Sequence, residues 1–122
     1  MGTVVVGYVP NPEGDAALDR AISEARLRES DLLVVDVRRR TGDEGADLAP
    51  ARERLTSSGV TFDVREGPGG VDGAEDLVDV ASAADLIVIG LKRRSPLGKL
   101  ILGSSAQRIL LDAPCPVLTV KP

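Results

Sequence analysis

The sequence predicts an α/β domain built on one doubly wound, five-stranded parallel sheet of order 3-2-1-4-5 with four helices. Three observations carry that expectation. Five short apolar runs alternate with four segments whose apolar residues recur at helical spacing. The first, second and fourth runs are almost continuous in Val, Leu and Ile, the pattern of parallel strands covered on both faces. The chain has 122 residues, which fits one domain spanning 1–122.

The elements follow in order. The first run, 3–9, leads into a stripe of Ala17, Leu18, Ala21, Ile22 and Ala25. The second run, 32–37, precedes a weaker stripe of Leu48, Ala51 and Leu55 that ends before Gly59. The third, 60–64, alternates apolar with polar residues and suits an edge strand with one wetter face. Ala74, Leu77, Val78 and Ala81 form the third stripe, followed by the fourth run at 86–89. Ala106, Ile109 and Leu110 form the fourth stripe, stopped by Pro114 ahead of the fifth run at 116–120. Residues 41–45 and 67–73 read as loops. Strands alternating with helices imply right-handed crossovers and a parallel sheet. In such a sheet ligands bind outside the carboxyl ends of the strands at the switch point, here between strands 1 and 4.

Composition narrows the function classes. Tyr8 and Phe62 are the sole aromatics, too few to stack single-stranded bases. The net charge of −4 argues against general nucleic-acid or anionic-membrane binding. Histidine is absent, so the commonest general base and metal ligand is missing. No apolar run approaches the roughly 20 residues that span a bilayer. The chain enters Thr3-Val4-Val5-Val6 without the pattern of a signal peptide, and the expected location is the cytoplasm.

The chemistry concentrates in residues 90–105, between the end of strand 4 and the start of helix 4. Gly90 permits a sharp turn and a close backbone approach. Gly103, Ser104 and Ser105 offer backbone N–H groups and two hydroxyls at a helix N-terminus, an arrangement that attracts anions. Lys92, Arg93, Arg94 and Lys99 add positive charge. A plainer reading stands beside this one: Ser104 with Gln107 fits a capping box, in which the serine serves its own helix. Arg38, Arg39 and Arg40 end strand 2, and the topology brings them to the same edge as Lys92 and Arg93. They form either a basic rim that concentrates anions or a solvated run.

The spaced pattern of Gly90, Arg93, the nine residues 94–102, Gly103 and Ser104 resembles the Gly-x2-Gly-x9-Gly-Ser/Thr signature of the universal stress protein family. The ending Ala113-Pro114-Cys115-Pro116-Val117-Leu118-Thr119-Val120 is similar to the family's last strand. The resemblance implies an adenine-nucleotide alpha-hydrolase-like fold and a loop that wraps the ribose and phosphates of ATP. It implies a nucleotide-binding set of Val9, Val37, Gly90, Leu91, Lys92, Arg93, Gly103, Ser104 and Ser105. Two positions depart from the family. Arg93 replaces the second glycine, and Val9 stands where nucleotide-binding members carry an aspartate facing the nucleoside. The Arg93 guanidinium either grips phosphate through its fork of donors or plugs the pocket.

The resemblance therefore implies a regulatory module binding ATP, AMP or a related anion, with no metal beyond magnesium carried by the nucleotide. The alternative is a protein-interaction module of the same fold whose pocket Arg93 closes. Catalysis is limited to weak ATP hydrolysis, since no base or metal-ligand cluster is evident. The family also implies a homodimer through strand 116–120, whose apolar edge a monomer would expose. Among lesser signals, Cys115 reads as a small structural hydrophobe. Asp36 reads as facing out near its strand end, and the acidic residues of 43–47 are too few for a calcium loop. Neither a P-loop nor a Gly-x-Gly-x2-Gly turn is present. A response-regulator receiver, which shares this topology, lacks its acidic residues here.

Overall fold

Thr3–Tyr8 (β1) forms the middle of the sheet, and every residue of it after Thr3 is buried. The structure, a computed structural model, describes residues 2–37, 48–65, 73–93 and 100–122, the side chains of Arg93, Leu100 and Ile101 excepted. Along the chain come Pro12–Arg28 (α1), Asp31–Asp36 (β2), Ala49–Ser58 (α2), Phe62–Arg65 (β3), Gly73–Val80 (α3) and Leu86–Gly90 (β4). They are followed by the two-residue strands Lys92–Arg93 (β5) and Leu100–Ile101 (β6), then Ser104–Asp112 (α4) and Val117–Val120 (β7). The main sheet runs β3-β2-β1-β4-β7 with every pairing parallel, so the order 3-2-1-4-5 read from the sequence is the one observed.

Alternation along β1 distributes the core. Val4, Val6 and Tyr8 face the layer of Ala17, Leu18, Ala21, Leu48 and Leu55 from α1 and the α2 region. Val5 faces Leu77 of α3 and Ile109 of α4 on the opposite side. Helices therefore cover both faces, which explains the near-continuous apolar character of β1, β2 and β4. At the edge, β3 alternates half-buried with exposed residues, as its sequence predicts.

Helix boundaries follow from local chemistry. Asn11 caps α1, its side-chain oxygen accepting from Gly14 N at 2.8 Å, and Pro12 fits the first turn, where its missing N–H is not needed. Gly59 ends α2 in the left-handed conformation at φ 78°. Arg65 at the end of β3 donates two hydrogen bonds, 2.8 and 2.9 Å, to the carboxylate of Asp76, tying the edge strand to α3.

Three findings differ from the sequence reading. Leu110 is 39% exposed, because α4 buries only a narrow face carrying Ala106 and Ile109. Asp36 is 2% exposed rather than facing out; Gly73 of α3 packs its backbone onto the Asp36 carbonyl and Val37, covering the end of β2. The stretch expected as loop from 90 to 105 contains an antiparallel ladder, Lys92 with Ile101 and Arg93 with Leu100. Arg38, Arg39, Arg40, Arg94, Lys99, the acidic stretch 43–47 and residues 67–72 lie outside the described residues.

Candidate functional site

β1 has β2 on one side and β4 on the other, and its ladder with β4 runs from Val4 to Val6 on β1 and from Leu86 to Val88 on β4. A cleft of about 540 Å³ opens beyond the carboxyl end of that ladder, within the range of roughly 300–1,000 Å³ usual for small-molecule sites. Its apolar wall is Gly7, Val9, Val37 and Ile89. These residues meet closely: a Cβ placed on Gly7 would lie 3.2 Å from Ile89 Cγ2 and 3.3 Å from Val37 Cγ1. The other side carries Lys92, Gly103, Ser104 and Ser105.

Two glycines hold the neighbouring backbone together. A Cβ on Gly14 would overlap the Val9 carbonyl oxygen, so the first turn of α1 sits directly on the end of β1. A Cβ on Gly90 would overlap the Glu13 carbonyl oxygen, with the Glu13 carbonyl carbon 2.8 Å away. Gly90 is thus required by the approach of α1 to β4, a reason independent of any ligand. The consequence is that α1 brings Glu13 into the lining of the cleft.

The start of α4 is built differently. Gly103 is the N-cap, with extended backbone at φ −69° and ψ 167°, and no side chain caps the helix. Ser104 is the first helical residue, so the capping-box reading is corrected: the chain enters the helix one residue earlier than that motif needs. Gln107 instead donates its backbone N–H to Gly103 O and its side-chain amide to Leu102 O, at 2.9 and 3.3 Å. The first backbone N–H groups of a helix have no intrahelical acceptor, and here they open toward the cleft. A Cβ on Gly103 would meet only Lys92, at 3.7 Å from Cδ and Cε and 3.8 Å from Nζ. The lysine ammonium therefore lies against the positive end of the α4 dipole.

Of the nine residues named from the sequence, Val9, Val37, Gly90, Lys92, Gly103, Ser104 and Ser105 line this one cleft. Leu91 does not; its backbone N–H donates to Val120 O at 2.9 Å and joins β4 to β7. Arg93 contributes backbone to β5, and both accounts of its guanidinium concern a side chain outside the described set. Sequence reasoning missed Glu13 and Gly14. The Asn11-Pro12 helix start directly after strand 1 puts them at the carboxyl edge of the sheet without showing that they reach the cleft.

Cys115 is half-buried and packs against the core on the α3–α4 side. Burial, and secondly the charge of Asp85, push its thiol above the ordinary value of 9.0, which favours the unreactive form. Among the described residues no three His, Cys, Asp or Glu gather as a metal site.

The model of the universal stress protein family matches residues 1–121. A universal stress protein of Mycolicibacterium smegmatis is 44% identical over 98% of this chain and 97% of its own length. A solved universal stress protein in complex with cAMP superposes with a TM-score of 0.76 at 28% identity, covering 98% of this chain and 96% of that one. A universal stress protein from Archaeoglobus fulgidus in complex with dAMP gives 0.71 at 27%, covering 99% and 98%. The sheet order and four helices are those of the adenine-nucleotide alpha-hydrolase-like fold of these proteins. With its five-stranded order, its spaced glycines around one cleft and this agreement over almost the whole length, the chain belongs to the universal stress protein family.

Proposed function

We propose that this protein is a regulatory module whose cleft holds an adenine nucleotide, ATP or AMP, or a related anion. The observation that carries the reading is the corner of Lys92 and Gly103, where an ammonium lies against the uncapped positive end of α4. Two positive groups in contact repel, and an anion between them turns the repulsion into attraction from both sides. Ser104 and Ser105 add hydroxyls, and the apolar wall of Val9, Val37 and Ile89 suits a base. The adenine nucleotides in the two related complexes support the same chemistry. With Val9 in place of a carboxylate, affinity leans on the phosphate end. Magnesium, where it takes part, arrives with the phosphates of the nucleotide.

Titration calorimetry with AMP, ATP and inorganic phosphate tests this, alongside mass spectrometry of what copurifies. Saturable AMP binding that weakens with added salt supports the reading, since a partly exposed charge is screened. No saturable heat for any of the three refutes it. Binding that emerges only in Arg93→Gly favours the closed-pocket interaction module instead.

The second part of the proposal is a cytoplasmic homodimer formed through β7. That strand ends the sheet order, and Val117, Leu118 and Val120 are only half-buried. Beside it in sequence, Leu111 of α4 is 84% exposed. Pairing with a second β7 would satisfy the edge backbone and cover this apolar surface. Light scattering at micromolar concentration is expected to report twice the chain mass; a monomer would contradict it.

A further inference from the structure

Glu13 has no role in the account given so far. It lies on the first turn of α1, lines the cleft, and makes no side-chain hydrogen bond or ion pair among the described residues. Its position follows from the close packing of two glycines. Gly14 rests on the Val9 carbonyl, and Gly90 sits so close that its Cβ would lie 3.2 Å from Glu13 Cβ. Glu13 is therefore placed between Val9, on which its neighbour Gly14 packs, and Gly90, two residues before Lys92.

A carboxylate cannot donate when ionised, and it repels phosphate. What it takes is a donor, and the part of a nucleotide between base and phosphate is the sugar. Resting on the nucleotide reading above, the geometry points to Glu13 as the specificity residue of this cleft, accepting hydrogen bonds from the vicinal ribose hydroxyls. The two oxygens of the carboxylate match the two adjacent O–H donors of a 2′,3′-diol. Val9 leaves the end of β1 without a carboxylate, and Glu13, from the adjoining turn, supplies one to the same cleft. The cleft then selects ribonucleotides over deoxyribonucleotides, a discrimination that neither Lys92 nor Ser104 can supply, since they face the phosphate end.

The experiment measures the affinity ratio of AMP to 2′-dAMP by calorimetry, in the parent and in Glu13→Ala. A hydrogen bond to a charged group is worth roughly ten- to a hundred-fold in affinity. The parent is expected to prefer AMP by about tenfold or more on that basis. In Glu13→Ala the ratio falls to about one, and 2′-dAMP itself binds more tightly because the repulsion of its phosphate is gone. The variant keeps the backbone carbonyl that packs on Gly90, and circular dichroism confirms that it folds. Inosine monophosphate, which keeps the diol and lacks the adenine amino group, loses the same factor as AMP in Glu13→Ala. Equal affinity for AMP and 2′-dAMP in the parent overturns the role of Glu13 while leaving nucleotide binding intact. A preference that survives Glu13→Ala, or a tenfold loss with inosine monophosphate that Glu13→Ala abolishes, overturns it equally. If neither nucleotide binds the parent, the nucleotide reading falls and this inference with it.

Discussion

Lys92→Gln should change stability and affinity in opposite directions, because the ammonium lies against the N-terminus of α4 at Gly103. Without ligand, a cation at that end of a helix costs about 0.3–1 kcal/mol. The variant is therefore expected to unfold at higher temperature than the parent, by roughly 1–5 °C for a chain of this size. With nucleotide the sign reverses. Loss of a charged hydrogen bond to phosphate costs ~1.5–3 kcal/mol, or about ten- to a hundred-fold in affinity. AMP at a hundred times the parent dissociation constant stabilises the parent by about 2.7 kcal/mol. A variant binding about thirty-fold more weakly gains only about 0.9 kcal/mol at that concentration. Thermal or urea unfolding with and without AMP should show the two curves exchange order. A variant that is less stable than the parent when empty, with an equal gain from AMP, would refute the electrostatic account of this corner.

Gly103→Val should cut AMP or phosphate binding at least tenfold while leaving the fold intact. The new Cβ meets only Lys92 at 3.7 Å, and a cap change of this kind costs about 1 kcal/mol; calorimetry and a melt separate the two effects. Gly90→Ala should instead lower stability by about 1–3 kcal/mol in urea unfolding, since its Cβ overlaps the Glu13 carbonyl and backbone must move. Cys115 should react with iodoacetamide at least tenfold more slowly in the native protein than in urea. Its folded pKa is raised, so the stability linked to the neutral thiol is fully present below the unfolded value. That stability is lost as pH rises from about 9.0 through the folded one.

The fold was legible because the sheet is covered on both faces, which makes the interiors of β1, β2 and β4 nearly continuous in apolar residues and leaves β3 alternating. The short β5–β6 ladder was not legible. Two-residue strands leave no periodicity, and nothing in Leu91-Lys92-Arg93 distinguishes a strand from a loop. At the site, Gly103 and Ser105 were readable from the helix start that follows the loop, and Lys92 from its charge within it. Glu13 was not, because a glutamate in the first turn of a helix is already explained by the helix dipole. Only the contact of Gly90 with α1 shows that this particular glutamate reaches the cleft. Asp36 misled for a related reason: burial came from Gly73, far along the chain, and no local pattern reports it.

The two described glycines of the spaced signature answer to different physics. Gly90 is demanded by the chain itself, since any side chain there would strike α1. Gly103 is not: its backbone angles suit any residue, and a Cβ would find only ordinary contact with Lys92. What glycine provides at 103 is access to the backbone N–H groups of α4. The position of Gly103 beside Lys92 has its own cause. Lys92 pairs with Ile101 in the β5–β6 ladder, and Gly103 follows two residues later, so the ladder returns the chain to the lysine that began it. Because side chains alternate along a strand, a slip of one residue would carry Lys92 to the other face of the ladder and away from α4. The register of the ladder thus brings one ammonium and one helix N-terminus to the same point, where a bound anion would relieve the repulsion between them.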